Sequence, residues 1–238
     1  MNRKIAFLIS LLFAVMLIAG AAAEPVIIPV GQVPEDGLTF TKAEALAKAT
    51  ELFADQGYTY SEGKYFRKAG SVLLPDDQAA WITFIERQEE EAAGNLYAVF
   101  SADTGETIEL YYPDNDVYTW VLLQWRDEKH GSRSYWPVED QALFDWLFFS
   151  GDIELFDPSK TGVSADEAVR IASDWVREDA GIAYDNTSVS YIGHYDDDQI
   201  WYDWVISFEE DGSQILIVYV DAETGIIENS YDMAEGEG

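Results

Sequence analysis

Thr41-Lys42-Ala43-Glu44-Ala45-Leu46 returns as Ser164-Ala165-Asp166-Glu167-Ala168-Val169, at an offset of 123 residues (164 − 41). At the same offset Ala49 meets Ala172, Leu52 meets Trp175, Phe53 meets Val176 and Trp81 meets Trp204. Further on, Ala102-Asp103-Thr104-Gly105 answers to Ala222-Glu223-Thr224-Gly225 at an offset of 120 (225 − 105). A longer Glu89-to-Asn95 loop in the first copy accounts for the slip. So many matches in one order identify an internal repeat, and the repeat decides how the rest of the chain is read.

Each copy has the same physical grammar. Thr41 with Glu44, and Ser164 with Glu167, form capping boxes, in which hydroxyl and carboxylate satisfy amides that a helix start leaves free. Apolar residues follow at helical spacing: Ala45, Ala49, Leu52 and Phe53 in one copy, Ala168, Ala172, Trp175 and Val176 in the other. Gly57 and Gly181 stand where each helix should stop. Strand-like runs come next, Tyr65 to Leu74, Trp81 to Arg87 and Leu96 to Ser101, then Ser188 to His194, Trp201 to Phe208 and Ile215 to Asp221. Asp211-Gly212 signals a hairpin, and Thr104-Gly105 and Thr224-Gly225 signal tight turns into a last strand. The expected class is α+β, two tandem modules at 38–112 and 161–231, each one helix packed on a three- to four-stranded antiparallel sheet. An aromatic-rich, partly helical segment at 113–160 joins them, with an N-terminal linker at 24–37 and an acidic tail at 232–238.

A capped helix followed by a sheet ending in Leu216-Ile217-Val218-Tyr219-Val220-Asp221-Ala222-Glu223-Thr224-Gly225-Ile226-Ile227 resembles the PepSY domain. The second copy carries the pattern more closely than the first, where Ser101-Ala102-Asp103-Thr104-Gly105 replaces the usual V-D-A-x-T-G. The resemblance implies an exported bacterial protein that binds or restrains peptidases. Tandem modules of this shape are also similar to the secreted inhibitor of β-lactamase, which grips its target with a concave sheet. The recurring residues of the family are structural, so the resemblance supplies no catalytic set.

Met1-Asn2-Arg3-Lys4, an apolar run from Ile5 to Ala19 and the small residues Ala21-Ala22-Ala23 before Glu24 have the parts of a secretory signal peptide over 1–23. Cleavage before Glu24 would leave a secreted or envelope protein with no membrane contact; retention would leave an anchor. The chain has no cysteine, so no disulfide holds it together outside the cell. Its 48% hydrophobic and 14% aromatic content is enough for packed cores. With 45 acidic residues against 14 basic ones the net charge is −31, which disfavours nucleic acid and anionic lipid as partners. The same charge attracts a basic protein or loosely held cations, or does no more than keep the protein soluble.

Residues 113–160 hold four of the eight tryptophans, Trp120, Trp125, Trp136 and Trp146. These rings either offer a surface to a protein partner or cement the modules into one body. Trp136-Pro137-Val138-Glu139-Asp140 has the marks of a helix start, with Val138, Ala142, Leu143, Trp146 and Leu147 on one face and Gly151 at the end. The polar run from Arg126 to Gly131 reads as a loop.

No constellation carries catalysis. His130 and His194 are the two imidazoles, too few for a three-histidine zinc site, and no H-E-x-x-H, G-x-S-x-G, P-loop or G-x-G-x-x-G occurs. His194, before Tyr195-Asp196-Asp197-Asp198, reads as a hairpin end. Asp196-Asp197-Asp198 and Asp114-Asn115-Asp116 lack the spacing that wraps calcium and read as turns, with weak Ca²⁺ binding left open. The chain is therefore expected to have no catalytic residues, no metal site and no cofactor. It reads as a non-enzymatic exported binding protein, a regulator or inhibitor of an extracytoplasmic peptidase. The alternative is a structural, envelope-associated acidic protein that meets cell-wall components or cations.

Overall fold

A computed structural model describes residues 26–129, 131–149, 155–196 and 199–233. The expected signal peptide, His130, Gly151, Asp197, Asp198 and the end of the acidic tail lie outside the described residues. The architecture is α+β with two antiparallel sheets. In the first half, β1 (Gly31–Gln32) and helix α1 (Lys42–Asp55) precede β2 (Tyr65–Leu73), β3 (Ala79–Arg87), β4 (Leu96–Ser101) and β5 (Thr107–Tyr111). Helices α2 (Val117–Lys129) and α3 (Val138–Phe148) follow. The second half has helix α4 (Ala165–Trp175), then β6 (Asn186–Asp196), β7 (Gln199–Glu210), β8 (Ser213–Asp221) and β9 (Ile227–Asp232). Strand order is sequential in both sheets, β1 to β5 and β6 to β9; α1 lies between β1 and β2, and the other neighbours are joined directly as antiparallel hairpins.

Helix α1 starts with a full capping box: Glu44 N–H donates to Thr41 Oγ1 at 3.3 Å, and Thr41 N–H donates to Glu44 Oε2 at 2.8 Å. At α4 the box is half made. Ser164 accepts from Glu167 N–H at 3.3 Å, but the Glu167 carboxylate is drawn away to Arg170, 2.6 and 2.9 Å off. The helices bury Ala45, Ala49 and Phe53 in one half, and Ala168 and Ala172 in the other. The small residues let each helix lie close to its sheet.

The halves agree bond by bond. Phe40 N–H donates to Ala102 O and Val163 N–H to Ala222 O, at 2.8 and 2.9 Å; Ala102 N–H donates to Ala79 O and Ala222 N–H to Tyr202 O, both at 2.9 Å. Each third hairpin carries a register shift at the same place, Val99/Phe100 and Tyr219/Val220. Gly105 and Gly225 both have positive φ, 72° and 75°, in turns closed at 2.9 Å onto Ser101 O and Asp221 O. A Cβ on Gly105 would come within 2.8 Å of the Phe40 ring.

Two expectations are corrected. Residues 26–33 are not a linker, and the first sheet has five strands. Val26 is buried, Ile27 N–H donates to Glu109 Oε1 at 2.8 Å, and Gly31 and Gln32 pair with Leu73 and Val72. The apolar run Val26-Ile27-Ile28 packs against the core, so this stretch is part of the sheet layer. Arg126 to Lys129 is the last turn of α2 and not a loop. Val117, Val121 and Trp125, spaced four apart, are buried under the helix, and Arg126, Asp127 and Glu128 are polar because they face water. Asp116, read as part of a turn cluster, accepts from Thr119 N–H at 2.7 Å and caps this helix.

The first sheet is covered on both faces. Phe53, Trp81, Ile85, Leu96 and Phe100 form the core beneath α1. On the far face Val72, Leu74, Ile82, Phe84, Tyr97 and Val99 meet Val121, Trp125, Phe144 and Leu147 of the connecting helices. In the second sheet Trp204, Ile206, Phe208, Leu216, Val218 and Val220 pack with Ala168 and Ala172 of α4, and Phe156 stacks on Tyr191 at 4.0 Å. Each large apolar side chain fully buried in these cores contributes about 1.5–3 kcal/mol. Polar contacts hold the halves to each other. Arg133 lies 2.5 Å from Asp145, the Tyr191 hydroxyl donates to the same carboxylate, and Tyr135 Oη donates to Glu209 Oε1 at 2.6 Å.

Candidate functional site: the open face of the second sheet

Directly paired residues of an antiparallel sheet point to the same face, so the ladders show which side chains share a surface. On the face of the second sheet turned away from α4 stand Ser190, Val205, Tyr219 and Asn229 in one row; Ile192, Asp203 and Asp221 in the next; and His194 with Trp201 at the end. The corresponding rows of the first sheet are Gly70, Ile82, Val99 and Glu109, then Val72, Ala80 and Ser101. The first set is sealed under α2 and α3. The second set belongs to no core cluster: Trp201 is 41% exposed and Tyr231 52%, Ile192 is exposed, and Val205, Ile217 and Tyr219 are half-buried.

One residue shows why a helix covers one sheet and not the other. A Cβ on Gly70 would lie 2.8 Å from the Trp146 ring and 3.1 Å from Leu147, so α3 reaches the first sheet only because this position has no side chain. The equivalent position in the second sheet is Ser190. Lys68 completes the docking of α3. Its ammonium donates to the carbonyls of Trp146 and Phe149 at 2.7 and 2.5 Å, the C-terminal end of the helix, where a cation is favoured. Burial nonetheless pushes the Lys68 pKa down to about 8.

The open face holds a groove of about 370 Å³ between His194, Trp201, Asp203, Tyr219 and Tyr231. Trp201 also borders a second hollow of about 570 Å³, formed with Phe156, Lys160 and Asp221. The Trp201 ring stacks on His194 at 5.9 Å and 19°, and Tyr231 meets Tyr219 edge-on at 5.7 Å. Asp203 is 4% exposed, with Oδ2 lying 2.9 Å from His194 Nε2 and Oδ1 without a hydrogen-bond partner. Burial raises its pKa, His194 partly offsets this, and the facing Asp221 raises it further. A histidine thus meets a carboxylate here, but the hydroxyls lining the groove are the phenols of Tyr219 and Tyr231, and no serine or threonine lines it. A triad needs that third group.

The four tryptophans singled out by sequence lie elsewhere. Trp125 and Trp136 are 0% and 2% exposed in the layer beneath the first sheet, 5.8 Å from each other, and present no ring to a partner. Trp120 is half-buried against Tyr97 and Tyr111, and Trp146 covers Gly70. These rings pack the connecting helices onto the first sheet, while Trp201 stands at the open face of the second. Its partner His194 falls opposite Trp201 in the ladder, a pairing that the 123-residue offset of the repeat does not show. Among the described residues no three histidine, aspartate or glutamate side chains converge as a metal site. No helix of the described residues is long and apolar enough to cross a membrane. Neither a scan against protein-family models nor a search of curated proteins finds a match to this chain.

Proposed function

We propose that the chain is a non-enzymatic exported binding protein made of two tandem modules, which holds a protein partner on the open face of its second sheet. One asymmetry carries the reading: the same sheet face is buried beneath two helices in one half and left aromatic and accessible in the other. An exposed apolar and aromatic patch rimmed by charge is the anatomy of an interaction surface. The PepSY resemblance of residues 161–231 supports an extracytoplasmic peptidase as the partner, regulated or inhibited by the contact. Trp201 and Tyr231 are the anchors in this arrangement.

A pull-down from secreted and envelope fractions with the tagged chain tests the reading. A captured peptidase whose activity falls as the protein is added, and which is lost with Trp201→Ala/Tyr231→Ala, is the expected result. Capture unchanged by that double substitution, or no effect on any peptidase, would sink it. The excess of 45 acidic over 14 basic residues favours a second reading, an envelope-associated protein held by cell-wall material. Salt-sensitive recovery of wall polymer alone would establish that one instead.

A further inference from the structure

We infer that the groove beside Trp201 receives an arginine side chain of the partner protein, with Asp203 as its counter-ion and the Trp201 ring as its stacking plane. The inference rests on the binding reading above and names the chemistry that the partner must present.

Asp203 is the starting point. A carboxylate that is 4% exposed normally has its oxygens engaged, because an unpaired buried acceptor is costly. Here His194 lies beside Oδ2 alone, and Oδ1, itself shielded from water, has no donor although the Asp203 side chain lines the groove. The surroundings raise the demand for positive charge. Asp221 sits directly opposite Asp203 on the same face, and Glu228 lines the groove, whereas no lysine or arginine does. Like charges opposed across a ladder are destabilising, and a bound cation relieves them.

The shape of the site selects the cation. Trp201, Tyr219 and Tyr231 offer ring faces, and their π-systems attract positive charge. A divalent metal needs several oxygen ligands converging on one point, and no three acidic or histidine side chains among the described residues converge so. A guanidinium is planar, stacks on an aromatic ring and forks its donors onto a carboxylate; an ammonium does neither. The chain's net charge of −31 draws a basic segment toward this face before contact.

The test is an NMR titration of the purified full chain, following the Trp201 indole N–H. The probe is the blocked tripeptide acetyl-Gly-Arg-Gly-amide, compared with its citrulline counterpart, which keeps the shape and removes the charge. The expected result is a saturable shift with the arginine peptide and binding weaker by about tenfold with citrulline. Asp203→Asn should abolish the difference between the two peptides. Glu228→Gln, at an exposed position, should weaken arginine binding and keeps the test decisive if Asp203→Asn does not fold. Equal shifts from the two peptides, or arginine binding unchanged by Glu228→Gln and by a folded Asp203→Asn, would overturn the inference. Capture of a partner by folded Asp203→Asn as strongly as by the wild type would overturn it too, while leaving the binding reading standing. Loss of capture by the wild type would fail the binding reading alone, and the titration would still decide the groove.

Discussion

Trp81 and Trp204 make the same hydrogen bond. Each indole Nε1 donates at 2.7 Å to the carbonyl of the residue preceding the helix cap, Phe40 in one half and Val163 in the other. The central strand of each sheet is thereby tied to the entrance of its own helix, through a ring that is at most 1% exposed. Trp81→Phe and Trp204→Phe should each cost roughly 2–4 kcal/mol, from the cavity left and the carbonyl stranded. Urea denaturation checks this, and a loss below about 1 kcal/mol at either position would show that the bond is incidental.

Gly70 and Ser190 occupy equivalent ladder positions under opposite constraints. Gly70→Ala drives a methyl group against Trp146 and should destabilise the protein by about 1–3 kcal/mol through overpacking. Ser190→Ala, on the uncovered sheet, should stay within about 0.5 kcal/mol of the wild type. Comparable losses at the two sites would contradict the difference in cover.

Lys68 should give stability a dependence on alkaline pH. Its folded pKa of about 8 lies below the unfolded value of about 10.4, so between these limits the unfolded chain binds more protons. Unfolding free energy should therefore gain an increasing contribution from this residue as pH rises from about 8 to about 10.4, and lose it as pH falls back through the folded value. Lys68→Met should remove that component. Urea midpoints of the two proteins across this range give the difference curve; parallel curves would disprove the assignment.

Arg133 and Asp145 join the connecting segment to the second sheet, because Tyr191 of β6 donates to the same carboxylate. Arg133→Met should cost about 3 kcal/mol, since it leaves a mostly buried acid without its cation. The loss should appear as separate unfolding of the two halves, seen as tryptophan fluorescence and far-ultraviolet dichroism transitions that no longer coincide. A single transition with an unchanged midpoint would show that this joint does not couple them.

The parts of the fold governed by local rules were legible in the sequence. Thr41 and Ser164 start the helices, Gly105 and Gly225 take the left-handed turns, and the strands run close to their expected limits. Covering surfaces were harder to read. The period of four in Val117, Val121 and Trp125 was masked by aromatic residues all around α2, and Arg126 to Glu128 read as a loop because polarity reports exposure and not backbone shape. The brief pairing of Gly31–Gln32 was hidden for another reason: two residues are too few to show alternation. The candidate site was missed because tryptophan density drew attention to 113–160. Asp203 and His194 acquire meaning only when the ladders set them side by side.

The frame repeated in both halves, from the indole bond to the glycine turn, lies entirely at the helix end and the helix side of each sheet. Nothing in it depends on what stands on the other side. That surface is consequently able to differ between the halves while the helix side stays the same. In one half the freedom has been taken up by a permanent cover that gives the molecule bulk and rigidity. In the other it stands open to water, with half-buried and exposed side chains in place of a second core.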